Sequence, residues 1–271
     1  MSITDREVQN SILYADNGSP ILVDGYNLLM VGSLEHAINK GLIATAESGN
    51  CFGYAATAAT TIVALRATTY TEPASATQME VVSSSTQDDG SPGGTGTRTL
   101  RITYYDGNMN GPFTEDITTN GTGAVATVAT NIRFVEKLET LTVGSNGTNV
   151  GTITLRLVGG GATVGTIAVS DGITYWGHHY VQPGKKCFIK RVFGGVLGVS
   201  GAVFLRSATP LTTNSFEKQI TASVRTITAQ PSQIYDMEHF VVTGPARISV
   251  YVRPDANTAA TWHGGFSYYV T

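Results

Sequence analysis

Several short stretches of the sequence carry residue types that bind phosphate, activate a serine or hold a metal. The glycine-rich segment 142–169, TVGSNGTNVGTITLRLVGGGATVGTIAV, is the first of them. A phosphate loop needs G-x-x-x-x-G-K-[ST], because backbone amides surround the phosphate, the lysine reaches it and the hydroxyl holds magnesium. Pro183-Gly184-Lys185-Lys186-Cys187 comes nearest and lacks both the upstream glycine and the hydroxyl. A dinucleotide site needs glycines that open a helix, yet Gly159, Gly160 and Gly161 are followed by A-T-V-G-T-I-A-V, a strand pattern. The segment therefore reads as turns between strands. Its repeated V-G-T-I, at Val150 and again at Val164, reads as the two arms of one hairpin.

The remaining chemistry is equally sparse. No G-x-S-x-G elbow exists; Gly198-Val199-Ser200-Gly201 is the near miss, and His263-Gly264-Gly265 has no serine to serve as an oxyanion donor. His178 and His179 are adjacent, so on a strand they point to opposite faces and cannot share one ion easily. Asp236, Glu238 and His239 have no spacing that demands a metal. Asp88, Asp89, Asp106 and Asn108 are oxygen ligands of the calcium type, but without a D-x-D-x-D-G array they read as solvated loop residues. No catalytic, cofactor-binding or metal-binding residue is assigned, and no enzyme activity is expected. The aromatics Tyr175, Trp176, Tyr180, Trp262, Tyr268 and Tyr269 could stack sugars. Of these Trp176, Trp262 and Tyr268 are retained as candidate ligand or interface positions, with core packing as the competing role.

The elements that must position these residues are strands. Threonine fills roughly one position in seven and glycine 31 of 271, a usage suited to sheets and turns rather than helices. Alternating patterns recur at 61–69, Met79–Ser83, 97–105 and Ile132–Val143, and the same style continues to the C-terminus. Asn-Gly at 17, 110, 120 and 146 and Asp-Gly at 24, 89, 106 and 171 supply hairpin turns. In this light Asn120-Gly121-Thr122 and Asn146-Gly147-Thr148 are turns rather than glycosylation sites. The expected fold is all-β, an antiparallel β-sandwich or jelly roll with an N-terminal arm carrying a short helix over residues 33–43. The expected division is an arm at 1–50, a sandwich at 51–172 and a jelly-roll-like region at 173–271.

Charge and cysteine usage bound the partners. Net charge is −3 and the cations are scattered, which disfavours nucleic acid. Charged residues make up 14%, about half the usual share, so much of the surface is expected to lie against other subunits. Cys51 and Cys187 stand far apart in sequence and signal neither a disulfide framework nor zinc. Residues 1–20 show no basic-then-apolar leader, and no run approaches a membrane span, so neither secretion nor membrane insertion is expected.

The order of motifs from 81 to 155 resembles a module of virion structural proteins of tailed bacteriophages. It runs T-G-T-R-T-L-R-I-T at 95–103, Y-D-G-N at 105–108, T-E-D-I-T-T-N-G-T at 114–122 and then NIRFVEKLETLTVGSNGTNVGTITL at 131–155. The last stretch matches the module's G-S-x-G-x-N-x-G-x-I-T. The stretch 179–207 is similar to the P-x-G-K turn and long strands of such proteins. The resemblance implies a non-enzymatic block of the particle without cofactor. Such a block is made in the bacterial host cytoplasm and assembled in the virion with copies of itself, as a homotrimer, and with the major capsid protein. Decoration or cementing of the head is the leading expectation; a neck, tail or fibre role and a receptor- or carbohydrate-binding role are the alternatives.

Overall fold

Alternation of apolar and polar residues makes strands here, and their pairing makes two sandwiches. The computed structural model describes residues 46–57, 60–196, 199–208, 218–226 and 232–271, with backbone alone for 218–226 and 232–239. The expected helix at 33–43 lies outside the described residues. Every element found among the described residues is a strand, and the strand pairs with a described register are all antiparallel, which gives the all-β fold its character.

The chain first lays down β1 (Glu47–Thr57) and the two-residue β2 (Val63–Ala64). It then builds a seven-stranded sandwich from β3 (Met79–Ser83), β4 (Thr97–Asp106), β5 (Phe113–Thr118), β6 (Val125–Ala126), β7 (Ile132–Val143), β8 (Ile153–Leu157) and β9 (Thr163–Ile167). One sheet has the order β6-β3-β8-β9 and the other β5-β4-β7. Between them lie Met79, Leu100, Ile102, Ile132, Phe134, Leu138, Ile153 and Leu155, all fully buried. The inward positions follow the period of two expected of a half-buried strand.

The second sandwich is made of β10 (His178–Val181), β11 (Lys186–Val196), β12 (Gly201–Ala208), β13 (Lys218–Thr226), β14 (Ser232–Thr243), β15 (Ala246–Pro254) and β16 (Ala260–Val270), completed by β1. Its sheets have the orders β1-β16-β11-β14 and β10-β15-β12-β13, with β2 attached to β15. Strand β1 therefore belongs with the C-terminal strands, and the first sandwich sits in the connection between β1 and β10. If the eight strands are counted as the chain meets them, the sheets read 1-8-3-6 and 2-7-4-5, the interleaved order of a jelly roll. Val192, Val203, Leu205, Ile248, Val250, Val252, Trp262 and Phe266 fill its core.

Strand β15 is buried on both faces. Ala246, Ile248, Val250 and Val252 point into the jelly-roll core, so Arg247, Ser249 and Tyr251 point the other way. Strand β10 is shared in the same manner, with Val181 in the jelly-roll core and Tyr180 in that of the first sandwich.

Candidate functional site

The glycine-rich segment does bind anionic groups, but they are the protein's own carboxylates. Strands β8 and β9 form a hairpin with Ile153 opposite Ile167, but only the second V-G-T-I is an arm of it: Val150, Gly151 and Thr152 of the first precede β8, and Ile153 alone enters the strand. Gly159 and Gly160 make the hairpin turn with φ of 79° and 74°, a left-handed conformation that other residues rarely take. Their amides donate to the Glu80 carboxylate at 3.0 and 2.9 Å, and Arg156 Nε donates to it at 2.6 Å. The two amides, followed by the arginine, hold the Glu80 carboxyl below the usual glutamate range. Gly165 has a different reason to be glycine: a Cβ there would stand 2.2 Å from the Trp176 ring.

Asp88 corrects the expectation of a solvated loop. It is fully buried, and its carboxylate accepts from Ser83 Oγ at 2.6 Å and from the amides of Thr97, Val150 and Gly151 at 2.8 to 2.9 Å. One side chain thus ties the 84–96 loop to the motif at 144–154. Asn149, also fully buried, donates to Gly151 O and Ala168 O and accepts from Gly172 N. Asp106 accepts from the amides of Asn108 and Asn110, and Asp89 from that of Ser91. These oxygens are spent on loop amides, and no group of metal-ligating side chains gathers among the described residues. The side chains of Asp236, Glu238 and His239 lie outside the described residues.

The three candidate aromatics do not come together. Trp176 is 2% exposed in the core of the first sandwich and Trp262 0% exposed in that of the jelly roll, so neither presents a ring to solvent. Tyr268 is half-buried and stacks on His179 at 4.0 Å. Burial pushes its phenol well above the ordinary tyrosine value. An aromatic face does exist elsewhere. Phe52 packs at 5.6 Å from Tyr175 and 6.4 Å from Phe193, and Tyr54 at 5.4 Å from Tyr175. Phe52 is 39% exposed. Tyr54 donates to Asp171 Oδ2 at 2.9 Å, and burial together with that carboxylate pushes its hydroxyl up to about 12. Only Tyr175 was among the aromatics singled out from the sequence. The signal for Phe52 and Tyr54 was the alternation C-F-G-Y-A in β1, with Cys51 and Ala55 inward and Phe52 and Tyr54 outward.

A second cluster lies where the first sandwich meets the outer face of β10 and β15. Glu72 joins the two bodies, accepting from Arg133 of β7 at 2.7 Å and from Arg247 of β15 at 3.0 Å. Burial raises its carboxyl despite these guanidiniums, which pull the other way. Glu136 accepts from His179 Nδ1 at 2.9 Å and from the Tyr180 amide at 3.2 Å. His178 and His179 point to opposite faces, as their adjacency demands. His178 Nε2 lies 3.0 and 3.1 Å from the carbonyls of Val135 and Glu136, so this nitrogen carries the ring proton. Burial, with Arg66 and Arg247 nearby, lowers the His178 pKa well below the ordinary value and keeps the ring neutral.

No family model and no curated protein matches the chain. Among solved structures it is similar to the crystal structure of the STIV MCP, at 11% identity and a TM-score of 0.21 over 82% of this chain and 96% of that one. It is also similar to a chain in the atomic structure of Sulfolobus Turreted Icosahedral Virus, at 12% identity and a TM-score of 0.20 over 82% and 90%. Neither comes from a tailed bacteriophage. Scores this low carry no argument about the present chain.

Proposed function

We propose that this protein is a non-enzymatic structural component of a virion. The observation that carries the reading is the interleaved strand order of the second sandwich, a jelly roll of the kind that builds viral capsids as well as lectins and cupins. A fold alone does not name a function. What favours the particle is its conjunction with the phage-type motif at 144–154, whose Asn149, Val150 and Gly151 serve to rigidify loops rather than to expose a reactive group.

In its finer form the reading is a homotrimer that decorates the head of a tailed bacteriophage, assembled in the host cytoplasm onto the major capsid protein. Of the expected arm at 1–50, the part that precedes β1 acts on neighbouring subunits, and the two sandwiches form the body. The sparse charge suits burial against such neighbours. The copy number per particle tests this directly. Hundreds of copies agree with a head lattice, a dozen or fewer move the protein to neck, tail or fibre, and absence from purified particles overturns the reading.

The aromatic face of Phe52, Tyr54, Tyr175 and Phe193 favours one second reading, a carbohydrate- or receptor-binding module, because exposed rings on a sheet can stack on sugars. Phe52→Ser separates the two. Since Phe52 packs on Tyr175 and Phe193, the change costs about 1–2 kcal/mol of folding stability, so both readouts are taken well below the variant's own unfolding midpoint. A glycan-array signal abolished by it supports the module; trimer mass lost by it in light scattering supports the subunit interface.

A further inference from the structure

We propose that the seam between the two sandwiches binds one small inorganic monoanion of chloride size, held by Arg66, Tyr180, Arg247 and Ser249. Each of these side chains carries a buried donor atom without a protein partner: Arg66 Nε, Tyr180 Oη, Arg247 Nε and Ser249 Oγ. They are neighbours by register. Tyr180 of β10 stands opposite Arg247 of β15, and Ser249 lies two residues further along the same face, opposite His178. Arg66 follows β2, which pairs with β15 at Tyr251, and the Leu65 amide donates to Val250 O. Opposed positions of a strand pair carry their Cβ atoms about 5 Å apart on one face, so these side chains are neighbours.

Charge selects an anion over water. Glu72 faces both Arg133 and Arg247, while Arg66 donates from Nη1 to the Tyr70 carbonyl and lies over the Tyr70 ring at 5.6 Å. Two guanidiniums thus share one carboxylate, and the partly buried Arg66 adds a third positive charge paired only with a carbonyl and a ring, in a region where Arg247 is 4% exposed, Ser249 1% and Tyr180 1%. Uncompensated buried charge is expensive unless a counter-charge is present. The two Nε–H groups only donate and the Tyr180 and Ser249 hydroxyls can donate as well, so a halide can accept from all four and brings the negative charge that a bridging water does not. His178 adds no donor, since Nε2 is committed to two carbonyls and Nδ1 bears the lone pair.

The test is thermal unfolding of the full chain at fixed ionic strength while gluconate, too large for the seam, is replaced by chloride. A ligand of the folded state raises the midpoint with its concentration. The expected result is a saturable rise in chloride. Ser249→Ala and Tyr180→Phe each remove one donor with little change in bulk, and each shifts the half-saturating chloride roughly ten-fold upward. Equal midpoints in the two salts, or variants that titrate like the parent, overturn the proposal. Crystals of the full chain grown in bromide give an independent reading. An anomalous peak between Arg66 and Arg247 supports the site, and a map without one there overturns it.

Discussion

The two sandwiches are held together by different means. The first ties its loops with polar side chains: Asp88, Glu80, Asn149 and Asp106 each accept from two or more backbone amides or bridge separate strands. The jelly roll relies on close apolar packing around strand glycines. Gly194 of β11 lies opposite Gly264 of β16, and Phe193 opposite Gly265. A Cβ at Gly194 would stand 2.6 Å from Val203, and one at Gly201 2.5 Å from Trp262. The contrast follows from connection length. Long loops in the first sandwich leave amides that need acceptors, whereas the long paired strands of the second satisfy their own and compete for space instead.

Removing a central group breaks each side of that contrast most severely. Asp88→Ala strands three amides and a hydroxyl inside the protein, and urea denaturation is expected to show a loss of about 4–6 kcal/mol. The loss is confined to protection of the 84–96 and 144–154 backbone in hydrogen exchange. Trp262→Ala empties the jelly-roll core at a cost of about 3–5 kcal/mol, with loss of protection in β11, β12 and β15 instead. If both variants unfold the same amides together, the two regions are one cooperative unit and the contrast is only local.

Glycines sharpen it further. Gly194→Ala overpacks against Val203 and is expected to cost about 1–3 kcal/mol in chemical denaturation, part of which Val203→Ala restores in the double variant. Gly147 has φ of 76°, and a methyl group added there would meet nothing within 4 Å, so Gly147→Ala costs about 1–2 kcal/mol through backbone conformation alone. No neighbouring truncation rescues that loss, whereas Gly147→Asn recovers part of it, since asparagine tolerates the left-handed region.

The smallest effect is read with pH, at the seam where the two regions meet. His178 is held neutral with its pKa below the ordinary 6.5, so the unfolded chain takes up a proton that the folded one refuses. Its contribution is fully present above pH 6.5 and is lost as pH falls below that. Between pH 7 and 5.5 this removes about 1 kcal/mol, and His178→Gln is expected to flatten the slope. Protonation of Glu72, raised by burial, acts in the opposite sense at lower pH. An unchanged slope in the variant would mean that another group governs the acid limb.

Much of the architecture could be read from the residues. Met79–Ser83 and Ile132–Val143 are strands with the bounds their alternation suggested, whereas of the V-G-T-I echo only the second copy is a hairpin arm and the first enters β8 at Ile153 alone. The site residues were far less legible. Trp176 and Trp262 lie in strand-rich stretches where a large ring serves a core as readily as a surface, and only the second sheet closing over them decides between the two. Asp88 sits in a polar, glycine-rich loop that gives no hint of burial, because its four partners come from 83, 97, 150 and 151.

Local sequence by itself determined that this chain makes antiparallel strands, where many of them turn, and which of their faces are apolar, since period-two alternation and left-handed turn dipeptides act over a few residues. Tertiary structure alone decided that β1 leaves the sandwich that follows it and pairs with β16 at the far end of the chain. It alone gathered Arg66, Glu72, Arg133, His178 and Arg247 into one buried seam. The physical reason is that hydrogen-bonded pairing and charge compensation depend on distance in space, and no spacing along the chain encodes a contact between residues 72 and 247.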